Sequence, residues 1–199
     1  MATAFTQQER EQIREQLLTV ALRCASDGGM RRLSVDEIAR EAGISKGAFY
    51  GFYASKEQLF LDMVERIHRE MYGNADRVLR ESAALPISER IILAIYEVFR
   101  VAKERNVIGF IREEVPLMLR RLPPDMVRAM YHSDDEYIRR LIESSRVRLT
   151  TDADTVCSVV RLLLMTIQFK DDVGPRYDEA MKNIIRGSCR QLIEGAGAA

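Results

Sequence analysis

Apolar residues recur at helical spacing along almost the whole of this chain. Ile13, Leu17, Val20 and Cys24 follow one another at intervals of four, three and four residues, so they share one face of a helix. No segment alternates apolar and polar residues between hairpin turns, which is the pattern of a half-buried β-strand. The chain is therefore expected to be all-α, with about nine helices.

Glycine and proline separate these helical segments. Asp27-Gly28-Gly29 ends the first helix, and Pro86 ends a long helix that begins at Ser55. Further helices are expected at about 88–103, 106–121, 124–149, 152–171 and 175–194. This order predicts a small domain of three helices at 1–54 and a larger helical bundle at 55–199, with the long helix connecting them.

The segment 33–50 has the pattern of a helix-turn-helix unit. Ser34 is a favourable N-cap, and Glu37 stands three residues after it, as a capping box requires. Gly43 adopts at low cost the left-handed backbone that ends a helix, and Ser45 is suited to cap the helix that follows. The second helix of such a unit normally enters the major groove of DNA.

A more specific motif runs from Gly43 to Phe60, which reads GISKGAFYGFYASKEQLF. It resembles the N-terminal signature of the TetR/AcrR family of bacterial transcriptional regulators, including Ser-Lys-Gly, the tyrosine after it and Ser-Lys-Glu-x-Leu. Tyr53 stands where Phe is usual in the family. The resemblance covers roughly residues 9–67, and the rest of the chain is similar to the family in length and helical character alone.

The resemblance implies that the N-terminal domain binds DNA. Lys46, Tyr50 and Lys56 are implied to contact phosphates, and a lysine in the first turn of a helix adds to the backbone N–H groups that favour an anion there. Phe49 is expected to be partly core and to touch a thymine methyl. The predicted DNA-binding residues are Ser34, Ser45, Lys46, Gly47, Ala48, Phe49, Tyr50, Tyr53 and Lys56.

Gly51 departs from the family pattern, because relatives often carry Arg, His or Asn at this position. Glycine removes a contact to the DNA backbone and weakens the last turn of a short helix. Only Lys46 is then an obvious side chain for base recognition. Specificity is expected to depend on DNA shape or on Arg31, Arg32 and Arg40 nearby.

Composition and charge change this picture little. The 199 residues have a formal net charge of zero, with an excess of two positive charges over 28–56. The three cysteines are far apart, which favours buried thiols in a reducing cytoplasm and no zinc site. The most apolar runs, 91–99 and 156–167, are too short to cross a bilayer. We expect a cytoplasmic protein with no metal, cofactor or membrane partner.

Two strongly apolar helices near the C-terminus predict either internal packing or an interface with a second copy. The resemblance implies the second, a four-helix bundle in a twofold homodimer. The predicted dimer residues are Val156, Val159, Val160, Leu163, Leu164, Ile167, Met181, Ile184, Ile185, Cys189 and Leu192.

Aromatic residues and methionines in the middle helices predict ordinary core packing or a pocket. Family members bind a small effector in such a bundle, and flexible methionines suit an adaptable apolar pocket. The predicted effector-binding residues are Met63, Phe99, Phe110, Met118, Met130, Tyr137 and Phe169.

These expectations describe a dimeric repressor that binds a palindromic operator and is released by an apolar or aromatic effector. An activator on the same scaffold shares all of these residues. A helical protein-interaction module is a further alternative. An enzyme with an accessory DNA-binding domain is disfavoured, because the sequence has no nucleophile elbow, metal motif or phosphate loop.

Overall fold

The computed structural model of the protein describes residues 5–194 apart from 28, 30, 32 and 107. For 108, 111, 112 and 127–134 it describes the backbone alone. Within these residues the secondary structure is helical, and one isolated bridge pairs Leu149 with Ile193. The all-α prediction is confirmed. No described helix combines the length and the apolar character that crossing a membrane requires.

The helices follow one another in this order: α1 (Gln7–Asp27), α2 (Val35–Glu41), α3 (Lys46–Phe49), α4 (Lys56–Glu81), α5 (Ile87–Glu104), α6 (Ile108–Glu113), α7 (Val115–Leu119), α8 (Pro124–Ser145), α9 (Ala153–Thr166), α10 (Lys170–Val173) and α11 (Tyr177–Leu192). A 3-10 turn, Ile167–Phe169, stands between α9 and α10.

Two differences from the predicted helices have local causes. The segment expected as one helix at 106–121 is divided into α6 and α7 at Glu114. Pro116 occupies the first turn of α7, where its missing N–H is tolerated, and it disfavours continuation of the preceding helix. The helix expected at 152–171 ends at Thr166 and continues as the 3-10 turn and α10, which Gly174 terminates with a φ of 89°.

The chain divides into two compact units. The first contains 1–66 and 105–127, and the second contains 67–104 and 128–199. The helix-turn-helix segment therefore packs together with α6 and α7, while α4 contributes its first part to one unit and the remainder to the other. The domain boundary between 54 and 55 stays a prediction.

The core of the first unit is built from α1, α2 and α3 together with the start of α4. The stripe of Ile13, Leu17, Val20 and Cys24 is buried, as predicted. The ring of Phe60 stacks on Phe110 of α6, with ring centroids 5.3 Å apart. This stacking brings α6 into the same core.

In the second unit, α11 packs along α5. Cys157 of α9 and Ile185 of α11 are almost fully buried. Lys103 at the end of α5 forms an ion pair with Asp178 of α11, with the nitrogen 2.7 Å from the carboxylate oxygen. The two C-terminal helices α9 and α11 therefore contribute to the core of their own unit.

Candidate nucleic-acid interface

The turn between α2 and α3 has the glycine geometry that the sequence predicts. Gly43 has a φ of 71°, in the left-handed region that glycine adopts without Cβ strain. The Ile44 N–H donates to the Ala39 carbonyl at 2.9 Å, and the Gly43 N–H donates to the Arg40 carbonyl at 3.1 Å. These two bonds form a Schellman motif, which ends α2 and fixes the direction of the chain into α3.

Both helices of the motif are capped by serine. The Ser34 hydroxyl accepts from the Glu37 N–H, and the Glu37 carboxylate accepts from the Ser34 N–H at 2.7 Å, so the predicted capping box is present. These hydrogen bonds lower the pKa of Glu37. The Ser45 hydroxyl accepts from the Ala48 N–H at 3.1 Å and caps α3. Ser34 and Ser45 thus have structural roles in holding α2 and α3.

The core side of α3 is formed by Phe49, which has no exposed surface. Its ring meets the edge of the Tyr50 ring, with centroids 5.6 Å apart and an interplanar angle of 89°. Tyr50 remains 50% exposed. Because Phe49 is completely buried, it has no exposed surface that could contact a thymine methyl. Tyr50, by contrast, is on the accessible side of the helix with its hydroxyl.

Lys46 lies in the first turn of α3 with its ammonium group in solvent. Its Nζ donates to the Asp36 carboxylate at 2.8 Å, and both side chains are more than half exposed. This hydrogen bond raises the pKa of Lys46, so the lysine carries a full positive charge at neutral pH. Gly47 follows it, and no side chain crowds the space that a Cβ would occupy there.

Tyr53 is buried in the first unit, and its hydroxyl has a partner within the protein. The hydroxyl donates to Asp62 of α4 at 2.7 Å, and Arg14 of α1 binds the same carboxylate. Burial, with the neighbouring carboxylate, raises the pKa of Tyr53. This geometry makes Tyr53 a residue that joins α1 to α4.

Lys56, at the start of α4, is partly exposed and reaches back to the segment before α2. Its Nζ donates to the Leu33 carbonyl at 3.2 Å. Because Leu33 directly precedes the cap of α2, this bond also helps to position the helix-turn-helix unit.

The buried carboxylate of Glu114 also holds the loop between α1 and α2. This contact was not predicted from the sequence. Arg31 donates from Nε to Glu114 at 3.0 Å, and Glu114 is 6% exposed. Gly29, with a φ of 91°, lies so close to Glu114 that a Cβ would come within 2.9 Å of the carboxylate. No local pattern signals this cluster, since 83 residues separate Arg31 from Glu114. Arg32 lies outside the described residues.

Comparison with known proteins identifies this arrangement. Residues 17–63 match the family model of bacterial regulatory proteins, tetR family. The transcriptional regulator AcrR of Shigella flexneri is 40% identical over 60 residues, which are 30% of this chain and 28% of AcrR. The N-terminal segment of the chain therefore belongs to the TetR family. Members of this family are DNA-binding transcriptional regulators and are not enzymes.

Solved TetR-family structures share the fold over almost the whole chain. A putative TetR-family regulator from Rhodococcus sp. superposes with a TM-score of 0.66 at 15% identity, covering 92% of this chain and 99% of that one. The regulator FadR from Bacillus subtilis, solved in complex with stearoyl-CoA, has a TM-score of 0.59 at 16% identity, with coverages of 86% and 94%. Sequence similarity extends over a smaller part of the chain than the shared fold does. The matched segments span 28–65% of the lengths of the first curated relatives.

The predicted dimer residues divide into two groups. Val160, Leu163, Ile167, Met181, Ile185 and Cys189 are buried within the second unit. Val156, Val159, Leu164 and Leu192 are partly exposed, and Ile184 is 51% exposed.

A second apolar stripe lies on α9 and the segment after it. This stripe is more exposed than most of the predicted dimer residues. Leu162, Met165, Phe169 and Val173 are each about half exposed or more. Their spacing of three, four and four residues is the signal that could have separated this outer stripe from the buried one. Phe169, expected to contact an effector, belongs to this stripe.

The predicted effector-binding residues are not gathered in one place. Met63, Phe110 and Met118 are buried in the first unit, and Phe99 is buried in the second. Tyr137 stacks on Tyr72, with ring centroids 5.1 Å apart and an angle of 8°. The side chain of Met130 lies outside the described residues.

The second unit has a cavity of about 80 Å³ lined by other residues. It lies among α4, α5, α8 and α9, and its lining includes Tyr72, Leu79, Val98, Ile138 and Val160. A neighbouring cavity of about 60 Å³ lies between α5, α8, α9 and α11. Both linings are almost wholly apolar, and of the predicted effector residues none is among them. Tyr137 is not part of the lining of the first cavity, but it stacks on Tyr72, which is.

Proposed function

We propose that this protein is a cytoplasmic repressor that binds a palindromic operator as a homodimer and is released by a small apolar effector. α3 is the recognition helix in this proposal. Lys46 and Tyr50 contact phosphates, while Gly47 and Ala48 allow the helix to approach the groove closely. Ser34, Ser45, Tyr53 and Lys56 hold the helix-turn-helix unit in shape, and Phe49 anchors α3 in the core.

The observation that carries the DNA-binding proposal is the division of α3 between core and solvent. Phe49 is fully buried, while Lys46 and Tyr50 next to it are about half exposed. An exposed lysine and a tyrosine hydroxyl on a capped helix are groups that bind phosphate oxygen, and phosphate contacts are what position a recognition helix. The family match over residues 17–63 supports the same assignment.

The exposed stripe of Leu162, Met165, Phe169 and Val173 supports the homodimer. Exposed apolar side chains that recur at helical spacing on a folded domain indicate an interaction surface. A twofold dimer would bring this stripe, together with Ile184, against the same stripe of a second copy. Two recognition helices then reach successive major-groove faces of a palindrome.

The two cavities of the second unit support an apolar effector. At about 80 Å³ and about 60 Å³ they are smaller than the roughly 300–1,000 Å³ of an occupied ligand pocket. An effector of that size therefore has to widen the space between α4, α5, α8 and α9. FadR, which has the same fold, binds stearoyl-CoA. Effector and DNA would then oppose each other through one coupling free energy of about 1–3 kcal/mol.

Two substitutions in α3 test DNA binding. Lys46→Ala removes a cation, and Tyr50→Phe removes a hydroxyl while keeping the ring that packs on Phe49. We expect each to weaken binding to duplex DNA by roughly tenfold, as measured by fluorescence anisotropy, with unchanged thermal unfolding and self-association. Unchanged DNA binding by both variants would favour the helical protein-interaction module. A reporter gene placed under a DNA sequence that the protein binds distinguishes repression from activation.

A further inference from the structure

Arg10, in the first turn of α1, contacts the end of the recognition segment. Its Nη2 donates to the Gly51 carbonyl at 3.1 Å, although 41 residues separate the two in sequence. Its guanidinium carbon lies 4.7 Å from the centre of the Phe52 ring. Phe5 also packs on Phe52, with ring centroids 6.1 Å apart. These contacts fix an exposed guanidinium directly beside the residues that follow α3.

This cation has no acidic partner among the residues that the structure describes. Three other arginines of the first unit are paired with carboxylates: Arg14 with Asp62, Arg23 with Glu41 and Arg66 with Glu15. Arg10 uses one N–H group for a backbone carbonyl, and the guanidinium has five. Most of its donors and its whole charge therefore remain available to an anion.

The position of Arg10 extends the proposed interface at one end. Tyr50 directly precedes Gly51, and adjacent Cα atoms are about 3.8 Å apart. The guanidinium is therefore held against the backbone of the residue that follows Tyr50, at the opposite end of α3 from Lys46. A phosphate bound by the Tyr50 hydroxyl would lie close to this cation.

We propose that Arg10 is a further DNA-binding residue, which contacts a phosphate of the DNA backbone next to the one bound by Tyr50. This inference rests on the proposed function. Its chemistry follows from the planar fork of donors, which matches phosphate oxygens in a way that a lysine ammonium does not. A purely structural role, in which Arg10 only stacks on Phe52, is the competing explanation.

The salt dependence of DNA binding separates the two roles, because each neutralised phosphate contributes about 0.9 to the slope of log affinity against log salt concentration. Arg10→Gln should lower the magnitude of the slope by about 0.9 per protomer, or about 1.8 for a dimer. It should also weaken binding to a mixed-sequence duplex by roughly tenfold at moderate salt. Arg10→Lys, which keeps the charge, should retain most of the slope.

Arg66→Gln is the matched control, because it removes the same charge from an exposed arginine of the same unit that already has a carboxylate partner. We expect its slope to equal that of the wild type. A wild-type slope in Arg10→Gln, with or without reduced thermal stability, would overturn the inference and leave Arg10 a structural residue. If the wild-type protein showed no salt-dependent DNA binding at all, the proposed function would fail together with it.

A second measurement needs no variant and therefore does not depend on folding of Arg10→Gln. Phenylglyoxal modifies accessible arginines, and the extent at each site is read by mass spectrometry. Bound mixed-sequence duplex should protect Arg10 and leave Arg66 unprotected. Equal modification of Arg10 with and without saturating DNA would overturn the inference, even if Lys46→Ala had weakened binding.

Discussion

The two compact units of this protein leave different kinds of surface uncovered. In the first unit, Ile38 of α2 and Phe49 of α3 are fully buried, and the charged side chain of Lys46 on α3 is more than half exposed. In the second unit, Leu162 and Met165 of α9 are 64% and 55% exposed. The first surface suits a hydrated, charged ligand, and the second suits another apolar surface.

This difference in surface chemistry distinguishes the two proposed partners, which are DNA and a second copy of the chain. Phosphate contacts form and break readily in water and respond to salt, so a polar recognition surface allows release of DNA. Burial of an apolar stripe is not weakened by the screening of charges by salt, so such a stripe suits a permanent association. A repressor that has to leave DNA without losing its partner copy needs both kinds of surface.

The largest effect is expected on the apolar stripe. Leu162→Asp would bury a charge without a partner in the dimer, so the dissociation constant for self-association should rise by at least about 100-fold. Sedimentation equilibrium measures it. Leu85→Asp, in the exposed turn after α4 and outside the stripe, is the control and should remain dimeric. A dimer that survives Leu162→Asp would place the interface elsewhere.

Within the helix-turn-helix unit, Gly43 should be far more sensitive than Gly47. Gly43→Ala forces a side chain into a φ of 71° and should lower the free energy of unfolding by about 1–2 kcal/mol. Gly47→Ala has room for its Cβ and should raise that free energy by about 0.5–1 kcal/mol while weakening DNA binding. Chemical denaturation and DNA titration measure both. Equal stability of the two variants would contradict the assigned turn geometry.

The local part of this unit could be predicted from the sequence, and the non-local part could not. The Ser34–Glu37 capping box and the turn at Gly43 depend on residues within five positions of one another, so their pattern is visible in the chain. The Arg31–Glu114 pair and the contact of Arg10 with Gly51 depend on how distant segments pack. Full burial of Phe49 depends likewise on which face of α3 meets α2.

The second unit was predicted less completely for a related reason. α9 is apolar around much of its circumference, so its pattern does not say which stripe is internal. Val160 and Leu163 are buried in the unit, while Leu162 and Met165 are exposed. The cavity lining depends on four helices, and no spacing within one helix reveals it. Tyr72 and Ile138, which line it, are unremarkable in the sequence.

A smaller effect is expected where Asp36 pairs with Lys46. Asp36→Asn removes a negative charge near the proposed phosphate site and releases the Lys46 ammonium, which lies 2.8 Å from the carboxylate. Binding to duplex DNA at low salt should tighten by about fivefold. Asp36→Glu keeps the charge and should bind as the wild type does. Weaker binding by Asp36→Asn would show that Asp36 itself contributes a favourable DNA contact.

The smallest effect is a pH dependence of the capping box. Hydrogen bonds from Ser34 hold the pKa of Glu37 below its ordinary value of 4.5 in the native state. The stabilisation is therefore complete above pH 4.5 and is lost as the pH falls through the lowered pKa. The difference in unfolding free energy between wild type and Glu37→Gln should be constant at neutral pH and shrink below that value. A difference that grows in acid would have the wrong sign.

Selection of bound fragments from a randomised DNA pool with the purified protein tests whether two copies of α3 bind DNA together. We expect enrichment of an inverted repeat whose half-sites are centred about one helical turn, or a multiple of it, apart. Enrichment should disappear with Lys46→Ala. A single unrepeated motif, or no enrichment by the wild-type protein, would contradict this expectation.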